Sequence, residues 1–360
     1  MFDQITVKSH RGPYQVHFSD DLPDPAEWLD RPTHILVDER VMQLHGDRLA
    51  PFARSARSLI QISAIEPSKD ARQALDIAEK LAESGLRRSH QLLAIGGGIV
   101  QDITCFLAST MLRGVPWRFF PTTLLAQSDS CIGSKSSINL GQYKNLLGTF
   151  LPPEKIHIAS IFRNTLDHPA LCSGIGEMIK VHAIAGRDRL DHLNTSYAQL
   201  FTNPNCMSQF IHDSLEIKRT FIEEDEYDQG IRNVLNYGHS FGHAIESATE
   251  FAIPHGIAVT IGMDMANFVA AKLNLIDIGY FERYRKLMAA NTKLFHEIQI
   301  PIAGFMDAIM KDKKNIDAGL VLILPVRSCR IKKTLVSDLV SFKEACNRYL
   351  HDIRNQKTGV

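Results

Sequence analysis

Three histidines near the middle of the chain have the residue type and spacing of a metal site. His239 and His243 lie four residues apart in RNVLNYGHSFGHAIES, so on a helix they would share one face. His255 follows in PHGIAV. Two helical histidines and a third nitrogen donor suit a divalent ion, and a carboxylate should complete the set for a hard or borderline ion. The best upstream candidate is Glu177, an acid in the otherwise apolar segment SGIGEMIK. A lone histidine on an apolar face is usually a core residue, but three within seventeen residues favour a site.

Basic side chains accompany these histidines and suit an anionic group. Lys180 follows Glu177 by three residues and shares its helical face. Lys218 and Arg232 flank the acidic run EEDEYDQG (223–230), which itself is most simply a solvated turn. The two basic residues predict a clamp for a carboxylate or phosphate, in which the arginine binds bidentately and the lysine acts as a point charge.

Two upstream segments have the composition of a phosphate or cofactor site. In LLAIGGGIVQD, three glycines follow a strand pattern and open a helix pattern, which lets backbone N–H groups approach a phosphate closely. The spacing is not the G-x-G-x-x-G dinucleotide fingerprint, so an ordinary strand-to-helix turn is the alternative. The polar stretch 121–150 holds Asp129, Lys135, Lys144 and Asn145, which suit cofactor binding but also suit a solvated loop.

These candidate residues lie on two stretches of different pattern. The apolar runs 34–41, 90–98 and 117–125 predict buried strands, and 71–86 predicts a helix. Strand, helix and strand in this order imply right-handed crossovers and a parallel sheet. After the proline breaks that end near residue 170, helical patterns dominate until VLILP. We therefore predict an α/β domain over residues 1–165 and a mostly helical domain over residues 166–360.

Length and composition limit the class of protein. The 360 residues suit two domains, and a formal net charge of zero gives no general attraction to nucleic acid or membrane. The six cysteines are scattered without a CxxC pair, which predicts reduced thiols. The N-terminus has no signal pattern, and no apolar run has membrane-spanning length, so we predict a cytoplasmic protein.

Ordered sequence blocks from about residue 34 to residue 325 carry a family resemblance. Their order and spacing resemble the 3-dehydroquinate synthase family, a group of sugar phosphate cyclases: GGGIVQD, MLRGVPWRFFPTTLLAQSDS, GSKSSIN, YKNLLGTF, GEMIKVHAI, RNVLNYGHSFGHAIE and HGIAVTIGM. The resemblance implies an N-terminal Rossmann-like parallel-sheet NAD domain and a mostly α-helical C-terminal metal- and substrate-binding domain. It also implies an active site between them and a homodimer.

The resemblance assigns residues to three groups. The ligands of a Zn²⁺ or Co²⁺ ion would be Glu177, His239 and His255, which makes His243 a substrate contact instead of a ligand. The NAD contacts would be Asp38, Glu66, Lys69, Gly97, Gly98, Ile99, Asp102, Thr122, Thr123, Lys135, Lys144 and the segment from Phe162 to Thr165. The contacts to a phosphorylated sugar-acid substrate would be Asp129, Asn145, Lys180, Lys218, Arg232, Asn236 and His243, with Arg113 serving the neighbouring subunit and Lys313 closing the site.

The implied reaction converts 3-deoxy-D-arabino-heptulosonate 7-phosphate to 3-dehydroquinate and phosphate. The substrate gives a hydride to NAD⁺, loses phosphate by elimination, regains the hydride and closes into a carbocycle by an aldol step, with the metal as a Lewis acid. This activity belongs to the shikimate pathway of aromatic amino acid biosynthesis.

Several positions depart from the family pattern. Ile257 replaces an acid two residues after His255, Gln101 and Ser134 replace glycines, and the usual K-Y-G reads Lys180-Val181-His182. Loss of the acid at 257 would remove a hydrogen bond around the metal.

These departures indicate a divergent family member and leave rival functions open. The closest rivals are an aminodehydroquinate, 2-deoxy-scyllo-inosose or valiolone-type synthase. More distant rivals are an NAD-dependent polyol dehydrogenase and a non-catalytic protein that binds NAD or metal.

Overall fold

The computed structural model describes residues 4–311, 319–327 and 330–354. The chain forms two compact units. The first unit comprises Met1–Asp167 together with Lys218–Tyr227, and the second comprises His168–Ile217 and Asp228–Val360.

A largely parallel sheet forms the centre of the first unit. The strands of this unit are β1 (Ile5–Val7), β2 (Tyr14–Ser19), β3 (Thr33–Asp38), β4 (Ser58–Ile62), β5 (Gln91–Gly96), β6 (Trp117–Pro121), β7 (Ile138–Leu140), β8 (Tyr143–Leu147) and β9 (Lys155–Ala159). Seven of them form one sheet in the order β1-β2-β9-β6-β5-β3-β4, in which only the β1–β2 pair is antiparallel. Strands β7 and β8 form a separate hairpin.

Helices cover this sheet and enclose an apolar core. They are α1 (Pro25–Trp28), α2 (Glu39–Ser55), α3 (Ala71–Glu83) and α4 (Gly98–Thr110). The core cluster joins Phe52 of α2 to Phe120 of β6, and it includes Trp28 and Phe162. Strand β5 is buried at all six positions, as expected for a central parallel strand covered on both faces.

The predicted boundaries in this unit need one correction. The run 34–41 was predicted as strand, but β3 ends at Asp38 and α2 begins at Glu39. The Asp38 carboxylate accepts a hydrogen bond from the backbone N–H of Arg40, and this N-cap starts the helix. The predicted helix 71–86 is α3, which the side chain of Asp70 caps in the same way.

The second unit is mainly helical. Its helices are α5 (His168–Ala185), α6 (Arg187–Ser196), α7 (Gln199–Thr202), α8 (Pro204–Glu224), α9 (His239–Ala248), α10 (His255–Lys272), α11 (Ile278–Thr292), α12 (Ile302–Met310) and α13 (Leu339–Arg348). An antiparallel hairpin of β10 (Leu320–Val326) and β11 (Arg330–Val336) accompanies them. Helix α10 is buried along nearly its whole length and is the central helix of this unit. The prediction of a parallel-sheet α/β region followed by a mostly helical region is confirmed.

The end of α8 departs from the predicted division at residue 165. Residues 218–227 belong to the first compact unit, although the sequence placed them in the helical domain. Polar contacts to the first unit explain this placement. The Glu223 carboxylate accepts a hydrogen bond from the backbone N–H of Lys8, and Glu226 accepts one from the backbone N–H of His10.

A glycine contact sets the spacing of two helices in the second unit. A Cβ atom on Gly176 of α5 would lie 2.2 Å from the carbonyl oxygen of Gly256 on α10. A Cβ atom on Gly256 would lie 1.9 Å from the carbonyl oxygen of Ser173. Only glycine permits this approach, so α5 and α10 pack backbone to backbone at this point.

Within the described ranges, no helix combines the length and the apolar composition needed to cross a membrane.

Candidate functional site

Three helices of the second unit bring one carboxylate and two imidazoles together. Glu177 comes from the middle of α5, and His239 and His255 are the first residues of α9 and α10. The Glu177 Oε1 atom lies 3.4 Å from Nε2 of His255 and 3.8 Å from Nε2 of His239. Gly176 immediately precedes Glu177, and Gly256 immediately follows His255. The close contact between these two glycines of α5 and α10 therefore brings Glu177 near His255.

The Oε1 atom of Glu177 lies in an environment suited to binding a cation. This atom is buried and accepts no hydrogen bond from the described residues. Ligand atoms about 2.1 Å from a tetrahedral zinc ion lie about 3.4 Å from one another, which is close to the measured separations. The residues present therefore fit a divalent ion held by two imidazole nitrogens and one carboxylate oxygen.

Burial and nearby charges set the protonation states of the three ligand groups, and two of the three are ready to bind a cation. Burial alone would raise the pKa of Glu177, but the ammonium of Lys180 and the contacts with His255 outweigh it and lower that pKa. Burial, followed by the nearby charge of Lys180, lowers the pKa of His239 well below its usual value, so this imidazole is neutral and has a free lone pair. Burial also opposes charge on His255, but the carboxylates of Glu177 and Glu246 outweigh it and raise its pKa. A cation must therefore displace a proton from His255.

Two outer contacts orient the imidazoles. The Nδ1 atom of His239 lies 3.3 Å from the carbonyl oxygen of Tyr237. The Nδ1 atom of His255 lies 3.3 Å from each carboxylate oxygen of Glu246 on α9. Both contacts leave Nε2 directed toward Glu177, and the second is the carboxylate–histidine arrangement common around bound metals.

Glu246 was not assigned a role from the sequence. It follows His239 by seven residues on the same helix, so it lies on the same face, and this spacing was the available signal. The His243, Glu246 and His255 side chains also form a second group of donor atoms close enough to share an ion. The partly buried contact from Glu246 to His255 is better explained as support for the first group, because it fixes the ring that points at Glu177.

Other predicted substrate residues of the second unit lie near this cluster or on the segment before α9. Lys180 forms a buried ion pair with Glu177. The ring of His243 lies 5.4 Å from that of His239 and 5.7 Å from that of His255. Arg232 and Asn236 lie on the short 3₁₀ helix Ile231–Asn236, where Arg232 is buried.

The glycine turn of the first unit forms the start of α4. Gly97 is its N-cap residue and Gly98 its first residue, so this helix presents free N–H groups at the carboxyl end of β5. A Cβ atom on Gly97 would lie 2.9 Å from the Cγ2 atom of Thr123, and the half-buried Ile99 follows. A glycine turn at a helix N-terminus is suited to the diphosphate of a dinucleotide.

A polar network of predicted cofactor residues lies in the same unit. The Lys69 ammonium donates to Asp102, to the hydroxyl of Ser137 and to the amide oxygen of Asn145, at 3.1, 3.3 and 2.8 Å. The Ser137 backbone N–H and hydroxyl also donate to Asp102. Burial raises the pKa of Asp102, and Lys69 opposes that shift. The structure thus joins Lys69 and Asp102, which the resemblance assigned to NAD, to Asn145, which it assigned to the substrate.

A second pair lies beside this network. Lys144 on β8 is 3.8 Å from Oε1 of Glu66, and that oxygen also accepts a hydrogen bond from Asn139. The backbone N–H of Asn145 donates to the Asn139 side chain, which links the two groups.

The remaining predicted cofactor residues occupy varied environments. Burial raises the pKa of Asp38, whose carboxylate caps α2. Thr122 is buried and Lys135 is exposed. Phe162 lies in the apolar core, and the Thr165 hydroxyl is 2.8 Å from Nε2 of His45.

Asp129 and Lys218 form an ion pair within the first unit. The Lys218 ammonium lies 2.7 Å from Oδ1 of Asp129 and also donates to the Asp129 carbonyl oxygen. Arg113 is exposed and has a φ of 65°, next to Leu112 with a φ of 55°. The predicted substrate residue Lys313 lies outside the described residues.

The structure shows the environments of the residues that depart from the family pattern. Ile257 is fully buried in α10. His182 is a core residue, and burial lowers its pKa to about 4. Ser134 is also buried, and the Gln101 amide is bonded to Ser130.

Comparison with known proteins identifies the family. Residues 59–173 match the sequence profile described as 3-dehydroquinate synthase N-terminal, and residues 174–315 match the profile described as 3-dehydroquinate synthase C-terminal. The chain is 34% identical over 334 residues to 3-dehydroquinate synthase from Thermoanaerobacter sp. (strain X514), covering 90% of this chain and 94% of that protein. The chain belongs to the 3-dehydroquinate synthase family. The resemblance drawn from the sequence blocks is therefore confirmed.

Other similar proteins extend this result. The 3-dehydroquinate synthase from Alkaliphilus metalliredigens (strain QYMF) is 32% identical over 306 residues, which is 84% of this chain and 86% of that protein. Among solved structures, ValA, a 2-epi-5-epi-valiolone synthase from Streptomyces hygroscopicus subsp. jinggangensis 5008 with bound NAD⁺ and Zn²⁺, has a TM-score of 0.82. It is 25% identical and covers 92% of this chain and 95% of that one.

A second solved structure shows the same family fold. A 2-deoxy-scyllo-inosose synthase complexed with carbaglucose-6-phosphate, NAD⁺ and Co²⁺ has a TM-score of 0.80 at 20% identity, over 96% of this chain and 99% of that one.

Proposed function

We propose that this protein is a 3-dehydroquinate synthase that uses NAD⁺ and one divalent cation, Zn²⁺ or Co²⁺. It converts 3-deoxy-D-arabino-heptulosonate 7-phosphate to 3-dehydroquinate and phosphate. The observation that carries the proposal is the cluster of Glu177, His239 and His255 beside Lys180, in a chain that belongs to this family.

The chain's own residues have the chemistry that this reaction requires. Glu177, His239 and His255 would hold a cation whose contribution is to polarise a substrate hydroxyl as a Lewis acid. Lys180 keeps Glu177 ionised, and Glu246 keeps the His255 ring in the orientation that offers Nε2. The glycine turn at Gly97 and Gly98 would bind the diphosphate of NAD⁺, which serves as a transient hydride acceptor.

Basic side chains would bind the anionic ends of the substrate. Lys218 is held by Asp129, and Arg232 is buried, so each has a restricted position from which to meet a carboxylate or phosphate. We propose the full set of substrate contacts as Asp129, Asn145, Lys180, Lys218, Arg232, Asn236 and His243.

A substrate screen with a matched variant tests the proposal. The purified protein, NAD⁺ and Zn²⁺ or Co²⁺ are incubated with 3-deoxy-D-arabino-heptulosonate 7-phosphate, and phosphate, the carbocycle and NADH are measured. Phosphate and 3-dehydroquinate should appear in equal amounts without net NADH, and Glu177→Gln should abolish both. Glu282→Gln, on the exposed face of α11, is the control and should retain full turnover. Phosphate release that persists after complete chelation of metal would contradict the assignment.

A cyclase of secondary metabolism is the second candidate. It is favoured by the likeness to the valiolone synthase, with a TM-score of 0.82, and by the altered residues Ile257 and Gln101. The same screen with phosphorylated and unphosphorylated C7 sugars and with glucose 6-phosphate separates the candidates by the mass of the carbocycle. A polyol dehydrogenase would instead accumulate NADH, and a non-catalytic protein would bind NAD⁺ without turnover.

The assembly and cellular setting are part of the same proposal. We propose a cytoplasmic homodimer of the shikimate pathway, in which Arg113 contributes to the substrate site of the neighbouring subunit. Arg113 is exposed in the turn Met111–Arg113 that follows α4, so it is accessible to a second chain, which supports this role. Sedimentation of the protein tests for a dimer. Mixing Arg113→Ala chains with Glu177→Gln chains tests the role of Arg113. In a mixed dimer, the site with an intact Glu177 receives the intact Arg113 of the other subunit, so one active site should be regained.

A further inference from the structure

The departure at Gln101 creates a two-point contact in the first unit. Its amide nitrogen donates to the carbonyl oxygen of Ser130 at 2.6 Å, and its amide oxygen accepts from the Ser130 hydroxyl at 2.7 Å. The Gln101 side chain is almost fully buried, with 6% exposed. The donor and the acceptor of this amide each have a partner, which fixes its orientation.

This contact joins two functional segments. Gln101 lies in the first turn of α4, and its backbone N–H bonds to the carbonyl oxygen of Gly97. Ser130 ends the π-helical turn Ala126–Ser130, which carries Asp129. Asp129 in turn holds the Lys218 ammonium through both its carboxylate and its carbonyl oxygen. Polar contacts therefore link the glycine turn to Ser130 and Asp129 to Lys218, and the peptide bond between Asp129 and Ser130 joins the two links.

We propose that Gln101 is a positioning residue that fixes Asp129 and Lys218 relative to the cofactor turn. A glycine at this position has no side chain and makes no such link. The proposal rests on the proposed function, in which the glycine turn binds NAD⁺ and Lys218 meets the substrate. The contact holds the basic group at a set distance from the cofactor, and the rate of the chemical steps depends on that distance.

The test compares two changes of the same kind at buried glutamines. Gln101→Met keeps the length of the side chain and removes both hydrogen bonds. Gln91→Met is the matched control, because Gln91 is also buried in the first unit and its amide donates to Trp28 and Thr33, but at the other end of β5. Ser130→Ala and the Gln101→Met/Ser130→Ala double variant measure the coupling between the two side chains. Turnover, NAD⁺ affinity and backbone amide exchange over residues 126–131 are measured for each.

The proposal predicts a specific combination of results. Gln101→Met should lower kcat by roughly tenfold to a hundredfold, while the dissociation constant of NAD⁺ changes by less than about threefold. The double variant should be no slower than the slower single variant, because both changes break one link. Amide exchange over 126–131 should accelerate in Gln101→Met and stay unchanged in Gln91→Met, which should also keep its kcat.

Two results would overturn the positioning role. One is an unchanged kcat in Gln101→Met, and the other is unchanged amide exchange over 126–131. If the unmodified protein releases phosphate from no sugar phosphate, the proposed function fails on its own. Amide exchange then decides the link between the two segments without reference to turnover.

Discussion

Removal of the Glu246 charge should weaken cation binding without removing a ligand. In Glu246→Gln, the side chain keeps its length, but the carboxylate that faces Nδ1 of His255 at 3.3 Å is lost. Carboxylates in this position typically contribute about 10- to 100-fold to metal affinity, which corresponds to about 1.4–2.7 kcal/mol. Glu246 also raises the pKa of His255, so its loss lessens proton competition and offsets part of the effect at neutral pH. The full loss of affinity should therefore be seen at alkaline pH.

Competition with a chromophoric chelator measures this change directly. The metal-free protein is titrated with Zn²⁺ in the presence of the chelator, at neutral and at alkaline pH, and NAD⁺ affinity is measured in parallel. Glu282→Gln, which removes an exposed charge from α11, should match the unmodified protein. If Glu246→Gln binds Zn²⁺ within twofold of the unmodified protein at alkaline pH, the orienting role of Glu246 is wrong.

Three further predictions concern the same unit. Glu177→Gln should lose cation binding and turnover while NAD⁺ affinity, measured by titration, stays within about threefold. Gly176→Ala should lower the free energy of unfolding by at least about 2 kcal/mol and weaken Zn²⁺ binding, because its Cβ would lie 2.2 Å from a backbone oxygen of α10. Chemical denaturation measures the change in stability. Gly304→Ala is the control, because its Cβ would lie 3.6 Å from Ala248 and should cause no clash. Burial raises the pKa of Asp264 from 3.8 to about 6, so the folded protein holds a proton that the unfolded chain releases, and this group favours folding less as pH rises through that interval. In urea denaturation, the free energy of unfolding of the unmodified protein should fall by about 3 kcal/mol between pH 3.8 and about pH 6, relative to that of Asp264→Asn. If the two free energies of unfolding change in parallel with pH, the raised pKa of Asp264 is wrong.

The sequence predicted the features that depend on local pattern. The apolar runs that became β5 and β6 are buried at every position, and such runs are typical of central parallel strands. Glu177 was identifiable because an acid is rare on an apolar helix, and the three histidines because imidazoles near one another favour a site. The choice of His239 and His255, and not His243, as ligands beside Glu177 came from the family resemblance. Glu177, His239 and His255 come together in the structure, and their role as ligands stays a prediction.

Features that depend on contacts between distant segments were not predictable. The end of α8 joins the first unit through side-chain contacts to Lys8, His10 and Asp129, which lie at least 89 positions away in sequence. The role of Glu246 depends on which side of α9 meets the start of α10, and periodicity on one helix does not specify that. The effect of Gln101 was hidden for the same reason, because its partner Ser130 lies 29 positions further along the chain.

The backbone contact between Gly176 and Gly256 also bears on how the ion is exchanged. Because the contact between Gly176 and Gly256 sets the separation of α5 and α10 independently of an ion, the apoprotein should fold by itself, unlike small zinc modules that fold only around their metal. A preorganised metal site lets one cation leave and another bind without refolding of the protein. The metal that occupies the site would then depend on which ions are available in the cell as much as on the preference of the protein.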